Sequence, residues 1–214
     1  MRLFIAIPLS KEATKLVSRE LEDIKRKFAP RDRIRFMPEE NWHFTLVFLG
    51  QQNESAPAIV EGALKDALFG INVPNIEFEK ILYGPIDKTP ARGEARQGRR
   101  GKPPRMIWLT TSAETSKRIN VIKTKIESEL EKTGIKWQKE NRPFRGHLTL
   151  ARFEPKPIET LPSIEKEFNF NYPALSISLM ESTLKRSGAK YDALAEISLT
   201  ENQSPHSSAK IGSP

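Results

Sequence analysis

The sequence contains no cysteine among its 214 residues. This absence excludes disulfides, cysteine-ligated zinc, iron–sulfur clusters and thiol nucleophiles, and it fits a reducing compartment. No apolar run approaches the ~20 residues that a transmembrane helix needs. The apolar run at residues 3–7 is interrupted by Pro8, Ser10 and Lys11 before a signal peptide could form. We therefore expect a cytoplasmic protein with no membrane partner.

Basic residues outnumber acidic ones, with 35 Lys and Arg against 27 Asp and Glu and a formal net charge of +8. Such a balance favours polyanionic partners, for example nucleic acid or phosphorylated substrates. The segment 88–105 is especially basic and could follow an RNA backbone through phosphate contacts. A soluble basic protein with a solvated loop explains the same composition, so charge alone leaves both interpretations open.

Hydrophobic spacing predicts the same order of elements twice. In the first half, an apolar strand over residues 3–7 precedes an amphipathic helix capped by Ser10, and a second strand runs from His43 to Gly50. In the second half, a strand near Ile107 precedes a helix and then a strand that starts at His147. Each half is therefore predicted to consist of a strand, a helix and a histidine-bearing strand, in this order.

The remaining elements are predicted from turn residues and local composition. They are a helix over residues 59–68, a strand over 76–83, an exposed mobile loop from Gly84 to Arg105, a short helical piece over 163–168, a hairpin over 175–199 that turns at 187–188, and a disordered tail over 201–214.

This repeated order predicts an α+β fold of two similar lobes, each an antiparallel sheet flanked by helices and related by a pseudo-two-fold axis. We expect residues 1–200 to form one bilobal domain in which the two lobes interleave. The cleft between the lobes is the natural position for a ligand.

Two of the three histidines lie in the same pattern, His43-Phe44-Thr45-Leu46 and His147-Leu148-Thr149-Leu150. Because side chains alternate along a strand, each histidine shares a face with the threonine two residues later. Hydrogen-bonded structural histidines would explain one such motif. The repetition favours a paired function instead.

In-line displacement at phosphorus needs a base for the attacking oxygen and an acid for the leaving oxygen on opposite sides, which two facing histidines can supply. The hydroxyls of Thr45 and Thr149 can donate to non-bridging phosphoryl oxygens. Neither motif contains a carboxylate, so we expect no metal site and no cofactor.

The chain resembles the 2H phosphoesterase superfamily, most closely the RNA 2',3'-cyclic phosphodiesterases that are also called 2'-5' RNA ligases. The residues that carry this resemblance are Leu3-Phe4-Ile5-Ala6-Ile7-Pro8-Leu9, the run from Asn41 to Leu46 with Phe48-Leu49-Gly50, and the run from Arg142 to Arg152. The resemblance implies a bilobal fold, metal-independent hydrolysis of RNA 2',3'-cyclic phosphate ends to a 2'-phosphate, and reversible 2'-5' ligation in some members.

The resemblance also implies individual roles. His43 would be the acid that protonates the 3'-oxygen, and His147 the base that activates water. Thr45, Thr149 and Arg152 would hold the phosphate. The family often has proline where this chain has Gly146, which predicts a looser approach to His147. The loop from Gly84 to Arg105 is also longer than usual.

Two other functions remain open. A non-catalytic RNA-end or nucleotide-binding module would use the same pocket without turnover, and a related enzyme would act on a small cyclic nucleotide or an ADP-ribose cyclic phosphate. Strand alternation predicts that Trp42 and Phe44 pack in the core. Phe144 lies outside a certain strand, so packing in the core and stacking on a base both remain open for it. His206 lies in the polar tail without a partner pattern, and we expect it to be a spectator. We expect the protein to act as a monomer.

Overall fold

The computed structural model describes residues 1–85, 103–140, 144–185 and 188–199. The central part of the predicted basic loop, the turn residue Ser187, the predicted tail and His206 lie outside these residues.

The described chain contains three α-helices and ten strands. The helices are α1 (Lys11–Lys25), α2 (Ala56–Leu68) and α3 (Ala113–Lys132). The strands are β1 (Arg2–Pro8), β2 (Arg35–Phe36), β3 (His43–Gln51), β4 (Asn75–Gly84), β5 (Met106–Thr111), β6 (His147–Arg152), β7 (Lys166–Glu167), β8 (Asn171–Pro173), β9 (Ser176–Lys185) and β10 (Gly188–Ser198).

The strands form two antiparallel sheets. The first has the order β10-β9-β1-β3, and the second has the order β2-β6-β5-β4-β7, with β8 also pairing with β4. Strands β9 and β10 come from the end of the chain but complete the first sheet, while β4 comes from the first half and joins the second. The prediction of an α+β fold with two antiparallel sheets is confirmed.

Each histidine-bearing strand pairs with the strand that precedes its connecting helix. Strand β1 leads through α1 to its partner β3, and β5 leads through α3 to its partner β6. Serine side chains cap both helices, because Ser10 Oγ accepts from Ala13 N–H and Ser112 Oγ accepts from Thr115 N–H, each at 3.1 Å. The repeat predicted from the sequence is therefore present as two equivalent strand–helix–strand units.

The core lies between the sheets and the apolar faces of the helices. Residues 3–7 of β1 are almost fully buried, as expected for an interior strand covered on both faces. Trp42 and Phe44 are also buried, which confirms their predicted core packing, and Phe144 is partly buried against the core. None of the helices in the described residues is long and apolar enough to cross a membrane.

The predicted helical piece over residues 163–168 is wrong. Residues Lys166–Glu167 form strand β7 and pair with β4, and the N–H of Phe168 donates to the Glu79 carbonyl at 2.8 Å. The apolar residues Ile164 and Phe168, spaced as on a helix, are both buried. Pairing with the free edge of β4 outweighs the local spacing, since it satisfies the backbone polar groups of both strands.

The two ends of the predicted loop from Gly84 to Arg105 are hydrogen-bonded to each other. Gly84 is the buried last residue of β4, and its carbonyl accepts from the N–H of Arg105 at 3.0 Å. A Cβ at Gly84 would meet the Trp108 ring at 2.3 Å, so only glycine fits beneath this indole. Pro104 is also buried. The assignment of Gly84 to an exposed loop is therefore wrong, whereas residues 103–105 lie outside the strands as predicted and Arg105 is exposed.

The approach to His147 is tightly held at Gly146, contrary to the looser approach predicted above. The N–H of Gly146 donates to Ser116 Oγ at 3.1 Å, and its carbonyl accepts from Thr111 N–H at 3.0 Å. The hydroxyls of Thr111 and Ser116 are themselves hydrogen-bonded at 3.0 Å, and both side chains are buried. A proline at this position would lack the N–H that Ser116 accepts.

We expect Gly146→Ala to lower the free energy of unfolding by about 1–3 kcal/mol, because its Cβ would lie 2.3 Å from Thr111 Oγ1 in a closely packed region. Chemical denaturation measures this change. Gly62→Ala is the matched control, since a Cβ at this helical position meets nothing within 4 Å and should be neutral or stabilising. Equal unfolding free energies for the two variants would contradict the steric argument.

Candidate active site

His43 and His147 are the first residues of two strands that approach each other across the two lobes. His43 begins β3 at the edge of the first sheet, and His147 begins β6 in the second sheet. Residues of β3 and β6 are in contact, and each imidazole is partly buried. The two predicted acid/base residues thus lie on facing strands.

Both imidazoles are held by the same hydrogen bond. Nδ1 of His43 lies 2.8 Å from the carbonyl oxygen of Asn41, and Nδ1 of His147 lies 2.9 Å from the carbonyl oxygen of Arg145. Because a carbonyl only accepts, each Nδ1 must carry the proton and donate it. The other ring nitrogen, Nε2, is then left to exchange a proton with a ligand.

Aromatic side chains fix the orientation of both rings. The His43 ring packs against Phe4, with centroids 4.8 Å apart, and edge-on against Tyr191 at 5.1 Å. The His147 ring packs against Trp108, with centroids 4.2 Å apart. Sequence analysis missed Tyr191 because β10 joins this lobe from the far end of the chain. The packing restricts ring rotation and removes water from one face of each imidazole.

Burial keeps both imidazoles neutral at pH 7 in the free protein. The pKa of His43 is lowered to about 4, mainly by desolvation; the bond to Asn41 raises this pKa, and the nearby Arg152 and His147 lower it. Desolvation also lowers the pKa of His147, and Arg152 contributes in the same direction. A neutral imidazole can act as a base without a prior change of protonation. An imidazole that is to act as the acid must first be protonated.

The two histidine-bearing strands pair with their neighbouring strands in equivalent registers. His43 lies opposite Pro8, and Thr45 lies opposite Ala6. The same steps on β6 place His147 opposite Thr110 and Thr149 opposite Trp108. Within the described residues, the hydroxyls of Thr45 and Thr149 make no hydrogen bond to the protein. Both are therefore available to a ligand on the histidine face.

A β-bulge follows each threonine and changes which later side chains face the cleft. The register shifts between Ile5 and Ala6 in the first sheet and between Ile107 and Trp108 in the second. Each shift leaves one residue of the histidine strand unpaired, Leu46 or Leu150. Without the bulge, the side chain five residues after each histidine would point to the opposite face.

The residues brought to the histidine face in this way are Phe48 and Arg152. Phe4 shows the effect directly, because its ring lies 4.8 Å from His43 and 6.2 Å from Phe48. Arg152 is exposed and influences the pKa values of both histidines. The structure thus brings together all five predicted site residues, His43, Thr45, His147, Thr149 and Arg152, and adds Phe48.

Two further arginines lie beside Arg152. Arg35 pairs with Arg152 across β2 and β6, and the carbonyl of Arg105 accepts from the N–H of Phe153 at 2.9 Å. Burial lowers the pKa of Arg152, Tyr191 raises it, and the positive charges of Arg35 and Arg105 lower it. All three guanidinium-bearing residues are exposed. Sequence analysis missed Arg35 because the short strand β2 carries no pattern of its own.

Within the described ranges, no group of three or more His, Cys, Asp or Glu side chains has the arrangement of a metal site. The polar groups beside the histidines are two hydroxyls and a guanidinium. These groups suit an oxyanion better than a divalent cation, because a guanidinium repels the cation and neutral hydroxyls bind it weakly.

The depressed pKa of His43 should make stability fall as the pH is lowered. The imidazole has an ordinary pKa near 6.5 in the unfolded chain and about 4 in the folded one, so the unfolded state binds more protons between these values. Its contribution is complete above pH 6.5 and is lost as pH falls toward 4. Urea denaturation at pH 7, 5.5 and 4.5 measures the slope.

His43→Gln should flatten this slope relative to the wild type, while His206→Gln, outside both motifs, should not. Comparing variants removes the contribution of carboxylates that titrate in the same range. An unchanged slope in His43→Gln would show that His43 titrates normally in the folded protein.

A family model and two curated relatives match most of this chain. The model of the LigT like Phosphoesterase family matches residues 7–92 and 109–191. An RNA 2',3'-cyclic phosphodiesterase from Archaeoglobus fulgidus is 24% identical over 200 residues, covering 91% of this chain and 98% of the relative. A protein of the same name from Thermotoga maritima is 26% identical over 202 residues, covering 92% and 94%.

Solved structures agree on the fold. The crystal structure of TT0787 from Thermus thermophilus has a TM-score of 0.70 and 24% identity, covering 94% of this chain and 100% of that one. The crystal structure of E. coli LigT complexed with 3'-AMP has a TM-score of 0.65 and 22% identity, covering 94% and 98%. Since the family match spans most of the sequence, the chain belongs to the LigT-like phosphoesterase family.

Proposed function

We propose that this protein hydrolyses the 2',3'-cyclic phosphate at the end of an RNA to a 2'-phosphate. The observation that carries the proposal is the pair of imidazoles on contacting strands, each with Nδ1 bound to a backbone carbonyl and Nε2 left for a ligand. Relatives that match along most of the chain are named for this activity, which supports a cyclic phosphodiesterase.

In the proposed reaction, Nε2 of His147 takes a proton from water as the water oxygen attacks phosphorus. The bond from phosphorus to the 3'-oxygen breaks on the opposite side, and His43 gives its Nε2 proton to that oxygen. The product carries a 2'-phosphate and a 3'-hydroxyl. His43 must be protonated first, and the anionic cyclic phosphate between the imidazoles raises its pKa for this purpose.

Thr45, Thr149 and Arg152 are proposed to hold the non-bridging oxygens. The two hydroxyls share the histidine face and make no protein hydrogen bond within the described residues. Arg152 reaches the same face through its bulge and can donate two hydrogen bonds to one phosphate. These donors stabilise the negative charge that develops as water attacks.

The mechanism requires no metal, since both proton transfers are assigned to imidazoles and charge stabilisation to Arg152 and the threonines. A 5'-hydroxyl in the position of the attacking water would form a 2'-5' linkage by the same steps. We accordingly propose that this site also admits reversible 2'-5' ligation.

The decisive experiment incubates RNA ending in a 2',3'-cyclic phosphate with the protein in EDTA and analyses the product ends. We expect a 2'-phosphate product. His43→Ala and His147→Ala should each lower kcat by about 10²–10⁴-fold, and the double variant should lose less than the product of the two. His206→Ala is the control and should match the wild type.

Three outcomes would contradict this proposal. Loss of activity in EDTA with rescue by a divalent ion would show that a metal is required. Near-normal turnover in folded His147→Ala would remove the acid/base pair. Tight binding of the RNA end without any hydrolysis by the wild type would support the non-catalytic binding module instead.

RNA is proposed as the substrate in preference to a small cyclic nucleotide because of the additional charges beside Arg152. Arg35 and Arg105 extend the positive surface beyond the position of one phosphate, and neither has a carboxylate within salt-bridge distance among the described residues. A mononucleotide has no second phosphate to meet them, whereas an RNA chain does.

The double variant Arg35→Ala/Arg105→Ala should raise KM for a short RNA with a cyclic phosphate end and leave KM for a cyclic mononucleotide unchanged. It should also flatten the salt dependence of RNA binding. Arg26→Ala/Arg118→Ala, which removes the same charge at the end of α1 and on α3, is the matched control. If the two double variants had equal effects, net charge alone would explain the change. That outcome would favour the hypothesis that the substrate is a small cyclic nucleotide.

We further propose that the two lobes act as one domain, because each sheet contains strands from both halves of the chain. The monomeric state expected from the sequence also remains a prediction, which light scattering of the purified protein would test.

A further inference from the structure

The peptide group between Arg145 and Gly146 connects His147 to helix α3. Its carbonyl oxygen, on Arg145, accepts the Nδ1–H of His147 at 2.9 Å. Its N–H, on Gly146, donates to Ser116 Oγ at 3.1 Å. Because a peptide group is planar, with C=O and N–H pointing in opposite directions, the bond to Ser116 fixes the direction of the carbonyl that holds the imidazole.

The Ser116 hydroxyl is itself oriented by Thr111. The two hydroxyl oxygens lie 3.0 Å apart, and the Thr111 hydroxyl donates to the Gly146 carbonyl at 3.3 Å. Since Thr111 gives its one hydroxyl proton to that carbonyl, the Ser116 hydroxyl must donate to Thr111. The lone pairs of Ser116 Oγ are then left to accept the Gly146 N–H. The two hydroxyls and the backbone of Gly146 thus form a continuous chain of hydrogen bonds, in which each bond polarises the next.

This chain of hydrogen bonds lies in the interior and starts from a rigid element. Thr111 is 5% exposed and Ser116 is 8% exposed, so water does not compete for their hydroxyls. Ser116 belongs to the first turns of α3, where its N–H donates to the Ser112 carbonyl at 3.0 Å. Helical hydrogen bonds therefore hold the serine in place, and the serine holds the peptide before His147.

The anchor of His43 is built differently. The peptide group that holds its Nδ1 lies between Asn41 and Trp42, and the Trp42 N–H donates to a backbone carbonyl of the preceding turn at 3.0 Å. This bond uses main-chain atoms only, whereas the equivalent bond in the other lobe uses the side chain of Ser116. A change of one side chain can therefore loosen the anchor of His147 and leave that of His43 intact.

We propose that Ser116 is a positioning residue for His147, acting through the Arg145–Gly146 peptide, in the reaction on which this inference rests. By fixing that peptide, Ser116 keeps the proton of the neutral imidazole on Nδ1 and the lone pair on Nε2, where the attacking water loses its proton. Rotation of the peptide would release Nδ1. The imidazole would then also carry its proton on Nε2, and in that tautomer it cannot act as the base.

The same peptide also sustains the basicity of His147. Desolvation lowers the pKa of His147, the hydrogen bond to the backbone carbonyl raises it, Arg152 lowers it and Glu140 raises it. His43, on the contacting strand β3, is neutral at pH 7. A peptide whose N–H is bound to Ser116 presents a more negative carbonyl oxygen to Nδ1, which favours the protonated imidazole. Loss of this hydroxyl therefore lowers the pKa of His147.

The experiment follows the ring nitrogen and proton shifts of the three histidines by NMR as the pH is varied, which reports the tautomer and the pKa of each imidazole. Ser116→Ala should increase the Nε2–H tautomer of His147 and lower its pKa, while both properties of His43 stay unchanged. Ser116→Thr keeps the hydroxyl and should restore the wild-type values. Thr111→Val keeps the bond from Gly146 to Ser116, so it should lower the pKa less and leave the tautomer unchanged.

Ser112→Ala is the matched control. The Ser112 hydroxyl caps the same helix one turn earlier, where it accepts from the Thr115 N–H, and it makes no bond to the peptide before His147. This variant should lower the stability of α3 and leave the tautomer and the pKa of His147 unchanged.

Kinetics on RNA with a cyclic phosphate end give the second readout. Ser116→Ala should lower kcat by about ten-fold or more at pH 7 and change KM little, since the groups that hold the phosphate remain. In a His147→Ala background, Ser116→Ala should lower kcat no further, because its effect passes through the missing imidazole.

The outcomes separate this inference from the proposed function. If the wild type hydrolyses no cyclic phosphate and Ser116→Ala still changes the tautomer and pKa of His147, the proposed function is wrong and the anchoring by Ser116 stands. An unchanged tautomer and pKa in folded Ser116→Ala would overturn the positioning role, whatever the kinetics. Equal changes in Ser112→Ala would also overturn it, because they would assign the effect to a weakened helix.

Discussion

The constraint on which the site depends is the register of two antiparallel strand pairs, each of which has a bulge directly after the threonine of the histidine-bearing strand. A strand that alternates without interruption shows one face to the cleft only at every second residue. Here the unpaired Leu46 and Leu150 shift that alternation, so the residue five positions after each histidine joins the histidine and threonine. Each lobe thus presents three cleft-facing side chains from one short strand.

Burial of this arrangement determines the state of the histidines. The rings are enclosed by aromatic side chains and anchored through Nδ1, so desolvation lowers the pKa of both imidazoles and leaves Nε2 without a proton in the free protein. The anchors are themselves fixed. Gly146 is bound on both sides by Thr111 and Ser116, and the Asn41 side chain donates to the Ala189 carbonyl at 3.1 Å.

The two halves of the chain exchange strands between the two sheets. The first sheet is completed by β9 and β10, and the second takes β4 from the first half, so neither histidine lies in a sheet built from its own half alone. Tyr191 enters the first half-site by this route and packs against His43. The two lobes carry different side chains at the equivalent position past the bulge, Phe48 on β3 and Arg152 on β6.

The sequence by itself determined the repeated strand–helix–strand order, the core placement of Trp42 and Phe44, and the common face of each histidine and threonine, because these follow from periodicity along one element. Tertiary structure alone decided the position of Phe48 and the approach of Arg35, because a bulge and a strand partner depend on pairing between distant segments. The strand at Lys166–Glu167 has the same origin, since its hydrogen bonds belong to β4. Pairing across the sheet, which no local pattern encodes, settled these features.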